Sequence, residues 1–136
     1  MERQIIKDMF FLRQKSERAT RDDADLGRDL MDTLAAHRDG CVGMAANMIG
    51  IRKRAIIVNM GPVDVVMFNP EIVSKSGKYE TEEGCLSLSG VRKCTRYQDI
   101  VIEYYDSSWQ KQRRKLSGWY AQIAQHECDH LEGILI

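Results

Sequence analysis

Near the end of the chain, His126-Glu127-Cys128-Asp129-His130 spaces two histidines by one helical turn. An α-helix turns that spacing into two imidazoles on one face, aimed at a common point, with Glu127 beside it. This is the HExxH arrangement, in which the histidines hold a metal ion and the glutamate handles a proton of water. Three fixed positions in five also arise where the histidines are merely exposed or capping, so the weight of the pattern turns on a third ligand. Only Leu131 to Ile136 follow His130, and Glu132 among them is too near in sequence to swing back. The third ligand must come from upstream, so the fold has to return an earlier segment to its last helix.

Upstream candidates are His37, Cys41, Cys85, Cys94 and several carboxylates. Cys85 stands out because it lies in Glu83-Gly84-Cys85-Leu86-Ser87, where Gly84 permits close backbone approach. One thiolate and two imidazoles leave a tetrahedral site open at one position, which is the catalytic rather than the closed, structural type. The cysteines Cys41, Cys85, Cys94 and Cys128 are irregularly spaced, without a CxxC pair and without an export signal, so disulfides are not expected.

The rest of the pattern predicts an α+β domain, with antiparallel sheets around the C-terminal HExxH helix and an amphipathic helix towards the N-terminus. Leu26, Leu30, Met31, Leu34 and Ala35 recur at helical spacing between Asp22 and Arg38, and Gly40 follows where a left-handed cap would fall. Strand-like runs at 55–58, 65–68 and 100–105 are separated by Gly61-Pro62, Asn69-Pro70 and Gly90. Short connections of this kind favour antiparallel pairing. Helical spacing returns over 119–132, and Gly133 followed by Ile134-Leu135-Ile136 predicts a stop and a short terminal strand.

With 136 residues, 43% hydrophobic and 29% charged, the chain is expected to form a single domain over 1–136. Twenty Lys and Arg balance twenty Asp and Glu, which argues against DNA as a partner. Arg113-Arg114-Lys115 reads as a solvated strand edge. No apolar run approaches a membrane span, and no signal peptide is evident in Met1 to Leu12, so a cytoplasmic location and no membrane partner are expected.

Glu83-Gly84-Cys85-Leu86-Ser87 and His126-Glu127-Cys128-Asp129-His130 together resemble the EGCLS and HExDH motifs of the peptide deformylases. That family's third motif, GxGxAAxQ, has its counterpart in Cys41-Val42-Gly43-Met44-Ala45-Ala46-Asn47-Met48, and the order holds along nearly the whole chain. The resemblance implies a metal-dependent hydrolase that removes the formyl group from an N-formyl-methionyl peptide and releases formate. The metal it implies is Fe2+ or Zn2+ at Cys85, His126 and His130, with Glu127 expected to serve as base and then acid. It assigns the Leu86 backbone N–H to the oxyanion and an extended peptide to the backbone near Gly43 and Met44. Arg92 resembles an arginine near the substrate, Arg96 one that pairs with Glu83, and Cys128 reads as a small buried hydrophobe lining the methionine pocket. Cys41 and Cys94 read as packing residues and His37 as a helix-end cation. Newly made polypeptides as substrate also admit the ribosome as a partner.

Two positions depart from the pattern. Met48 stands where the family has a glutamine expected to donate to the oxyanion, and Cys41 replaces the first glycine. Loss of one such donor typically costs about 10²–10³ in rate. Asn47 next door is not expected to substitute, since neighbours in an extended segment point to opposite faces. Two alternatives stand beside the deformylase reading: a weakened, deformylase-like binding protein, and a small HExxH metallopeptidase, against which Cys85 argues.

Overall fold

In the computed structural model, which describes residues 1–136, a one-turn helix α1 (Met9–Leu12) precedes α2 (Leu26–Ala36). Leu26, Leu30 and Leu34 of α2 lie on one face and are all buried, while Met31 and Ala35 face outward. The helix starts later than Asp22 because Arg21–Asp23 forms a separate 3-10 turn, closed by the Thr20 N–H donating to the Asp23 carboxylate at 2.7 Å. It ends at Ala36 without a left-handed Gly40: His37, at φ −117°, is its C-cap.

Strands β1 (Gly43–Ala45), β2 (Ala55–Met60), β3 (Val63–Cys85), β4 (Leu88–Tyr105) and β5 (Lys111–Ser117) form one antiparallel sheet in sequence order. The expected α+β class and antiparallel pairing are therefore observed. Gly61-Pro62 is the two-residue turn between β2 and β3, where Met60 pairs with Val63. Asn69-Pro70 does not end a strand. Asn69 takes φ +50° inside β3, and the register slips between Phe68 and Glu71, which makes a bulge that bends the strand. The Asn69 amide is held on both sides by Ala19, accepting from its N–H at 2.8 Å and donating to its C=O at 2.9 Å. Gly90 likewise lies within β4, at φ +76°, and the hairpin connection is Leu86-Ser87. Arg113, Arg114 and Lys115 sit on β5, the sheet edge, as expected, and Arg113 pairs with Glu103 at 2.6 Å.

Helix α3 (Gly118–Leu131) follows β5 directly and packs against β1, β2 and β4. The terminal residues 134–136 form no strand. Gly133 turns back at φ +77° so close to the Arg13 carbonyl that a Cβ there would collide with it, and the Ile134 N–H closes onto Asp129 C=O. Twenty-five buried residues, most of them from α2, the sheet and α3, form one contiguous hydrophobic cluster. No helix is long and apolar enough to cross a membrane.

Because Asn69 satisfies both backbone groups of Ala19 in a buried setting, Asn69→Ala is expected to lower stability by about 2 kcal/mol, read as a reduced urea midpoint at unchanged m-value.

Candidate metal centre

The long hairpin of β3 and β4 carries Cys85 at its tip, and α3 presents His126 and His130 one turn apart. Their three ligand atoms lie within 4.8 Å of one another. The two imidazoles are nearly perpendicular, with Nε2 facing Nε2 at 3.0 Å. His126 Nδ1 meets Glu83 Oε1 at 2.6 Å. An ionised carboxylate can only accept, so His126 carries a proton on Nδ1 and turns its Nε2 towards His130.

Glu83 is the pivot behind this geometry. Arg96 donates to it twice, from Nε at 2.9 Å and from Nη2 at 2.7 Å, and Gln122 Nε2 donates at 2.9 Å. Arg96 also reaches Asp129 of α3 at 2.7 Å, tying the hairpin to the helix. Burial opposes ionisation of Glu83, yet hydrogen bonds from His126, Arg96 and Gln122 outweigh it and hold the carboxyl well below the usual range. Burial likewise opposes a charge on His126, but its contacts with Cys85 and Glu83 raise its affinity for a proton. His130 is shifted down, by burial and by the charge of His126.

Glu127 is 5% exposed, and its Oε1 has no hydrogen-bond partner in the protein. Burial raises its pKa to about 7, which suits a group that must both take and give a proton near neutrality. Its carboxylate borders a cavity of about 490 Å³ between the hairpin tip, α3 and β1. Gly43 explains how it fits: a Cβ there would lie 2.7 Å from Ile123 Cγ2, 3.0 Å from Glu127 Oε2 and 3.1 Å from the Ile57 carbonyl. Facing imidazole nitrogens, a nearby thiol and an orphaned buried carboxylate oxygen fit a single divalent cation with an open coordination position.

Gly43, Met48, Cys85, Leu86, His126 and Glu127 all line this cavity. The Leu86 amide, in the hairpin loop, has no partner among the loop and turn hydrogen bonds. Met48 is buried in a 3-10 helix (Ala46–Ile49) that Gly50 closes at φ +86°, not in an extended segment. Its Sδ accepts from the Ala45 N–H at 3.4 Å. Asn47 is unavailable to replace a glutamine for a reason other than strand alternation: its Nδ2 is committed to the His130 carbonyl at 2.9 Å.

Three expected contacts lie elsewhere. Met44 is fully buried in the core, off the cavity wall, so only its β1 backbone could meet a peptide. Arg92 turns to the Ser89 carbonyl at 3.2 Å and is not on the wall. Cys128, between His126 and His130, points to the other side of α3, where it packs against the core. Arg96 is buried and not an ordinary strand-surface arginine. Sequence reasoning missed Trp119, Gln122 and Ile123 as wall residues and read Cys41 as packing, although it also lines the cavity. Trp119 and Gln122 fall seven and four positions before His126, so the helical face that carries the histidines already marks them.

Comparison with known proteins agrees with the geometry. The polypeptide deformylase family matches residues 4–136. This chain belongs to that family. A peptide deformylase of Clostridium beijerinckii is 51% identical over 132 residues, which span 97% of each protein. The crystal structure of a peptide deformylase from Legionella pneumophila superposes with a TM-score of 0.89 at 31% identity, covering 99% of this chain and 83% of that one. A Met-Ala-Ser-bound peptide deformylase from Acinetobacter baumannii gives 0.88 at 30% identity, covering 99% and 97%. The family is metal-dependent, and the Cys85, His126 and His130 cluster is the group of residues in this member that could hold the ion.

In this deformylase, Gly43→Ala forces a methyl group against Ile123 and the Glu127 carboxylate. The expected outcome is a destabilisation of about 1–3 kcal/mol together with loss of formate release, read by denaturant unfolding and by a formate-coupled assay.

Proposed function

We propose that this enzyme removes the formyl group from the N-terminal formyl-methionine of newly made polypeptides, using one divalent metal ion at Cys85, His126 and His130 and Glu127 as its acid and base. The observation that carries the reading is the convergence of two imidazoles and a thiol within 4.8 Å beside a buried, unpartnered Glu127. When bound, the cation supplies a Lewis acid, which polarises the scissile carbonyl and eases loss of a proton from water. Glu127 accepts that proton at Oε1 as the water oxygen adds to the formyl carbon, and delivers it to the amine nitrogen as the C–N bond breaks, so formate and a free N-terminus result. The Leu86 N–H receives the charge that develops on the carbonyl oxygen. A substrate chain lies extended beside β1, where the Gly43 backbone is open to the cavity.

One thiolate with two imidazoles accepts ferrous iron or zinc, and we read the ion as one of these two. We read residues 1–136 as one domain that acts in the cytoplasm and meets its substrate at the ribosome. Support comes from the single hydrophobic cluster, the balanced charge and the nature of the substrate.

Metal removal is the direct test. Dialysis against a chelator is expected to abolish formate release from formyl-Met-Ala-Ser, and anaerobic ferrous iron to restore it. Glu127→Ala is expected to keep the metal and lose at least about 10²-fold in kcat. Formate release by the iron-loaded protein no faster than by Glu127→Ala would instead identify a binding protein.

The second test concerns Met48. Its sulfur already accepts from the Ala45 N–H, so a glutamine there can accept the same bond through Oε1 and turn its NH2 to the cavity. Met48→Gln is expected to raise kcat/KM by tenfold or more, within the roughly 10²–10³ that one oxyanion donor contributes. An unchanged kcat/KM would show that position 48 does not limit this enzyme.

A further inference from the structure

Four hydrogen bonds converge on the Glu83 carboxylate. His126 Nδ1 and Arg96 Nη2 meet Oε1; Arg96 Nε and Gln122 Nε2 meet Oε2. Of the two donors to Oε2, only Gln122 lines the catalytic cavity. It stands one helical turn before His126 on α3, so its side chain leaves the helix on the histidine face. The far end of the amide is also engaged, because the Tyr79 hydroxyl donates to Gln122 Oε1 at 3.3 Å. That bond fixes which way the amide points. Reversed, it would set the amide oxygen against the Glu83 carboxylate, acceptor against acceptor.

We propose that Gln122 is a positioning residue for the metal centre: it acts through Glu83 on the orientation of the His126 imidazole, with Tyr79 setting the direction of its amide. The proposal rests on the reading of Cys85, His126 and His130 as metal ligands. Its physical basis is that a ligating histidine is aimed by whatever holds its second nitrogen, and that the partner of that nitrogen is aimed in turn by its own donors. Arg96 holds Glu83 from the side of the sheet and Gln122 from the side of the cavity. Without Gln122, Glu83 loses its only restraint from α3 apart from His126 itself. Gln122 is thus both a wall of the cavity and a restraint on the carboxylate that steadies His126.

The test uses Gln122→Leu, which removes the amide at similar volume, and Tyr79→Phe, which removes one hydroxyl outside the cavity. Zinc affinity is read by competition with a chromogenic chelator, ligand geometry by the visible spectrum of the cobalt-loaded protein, and stability by urea unfolding of the metal-free protein. For Gln122→Leu the expected result is about tenfold weaker zinc binding and shifted cobalt bands, a lower kcat for formyl-Met-Ala-Ser, and a urea midpoint lowered by no more than the loss of one hydrogen bond to a charged group. Tyr79→Phe is expected to move the zinc affinity and the cobalt bands the same way by less. Zinc affinity within twofold of the parent and a superimposable cobalt spectrum in Gln122→Leu would overturn the proposal. Should that variant not fold, the same null result in Tyr79→Phe would overturn it. Failure of the parent protein to bind zinc or cobalt at all would instead sink the metal-site reading, and this inference with it.

Discussion

Arg96, Glu83 and His126 form the contact on which the site depends. A guanidinium 3% exposed grips a carboxylate 9% exposed, and that carboxylate holds an imidazole 8% exposed. Burying such a pair is costly unless every donor and acceptor is matched, and removing one partner typically costs about 3–5 kcal/mol. Here the matching is complete on Glu83, which accepts four hydrogen bonds. The same arginine crosses to Asp129, so the hairpin and the helix cannot separate without stranding a buried charge. Glu83 lies two residues before Cys85 and Asp129 one before His130, so what joins the two elements also sets the spacing of the ligands.

Backbone irregularities bring the two elements into range. A 23-residue strand such as β3 would run straight past α3 without its bends. Register slips at Phe68/Glu71 and Ile72/Ser74 bend it, and the slip at Gly84/Cys85 turns the tip. On the opposite wall, Gly43 removes the side chain that would keep β1 from Glu127. The carboxylate is then confined between β1 and the histidines, where burial shifts its titration to the range in which it can work both ways.

The centre itself was legible before the fold was seen, because its residue types leave few other readings. HExxH needs a helix and a third ligand from another segment of the chain. Cys85, beside Gly84, fits that need. The substrate wall was less legible. Met44 alternates into the core because β1 is buried on both faces, and Cys128 falls a hundred degrees around the helix from each of its neighbours. Asn69-Pro70 and Gly90 read as strand ends because turn residues and bulge residues are the same residues. The terminal Ile134-Leu135-Ile136 has strand composition, but it pairs with no strand of the sheet.

The sequence by itself determined the chemistry: two imidazoles on one helical face, a thiol from a glycine-containing loop, a carboxylate between them, and a sulfur at position 48 in place of an amide. Those follow from side-chain type and helical period, which are local. Tertiary structure alone decided which groups face the cavity and which are already spent on other bonds. Asn47 is committed to the His130 carbonyl, Arg92 to Ser89, and Gln122 to Glu83 and Tyr79. Hydrogen-bonding capacity is finite and is allotted among partners distant in sequence, so its allocation is fixed only when the chain has folded.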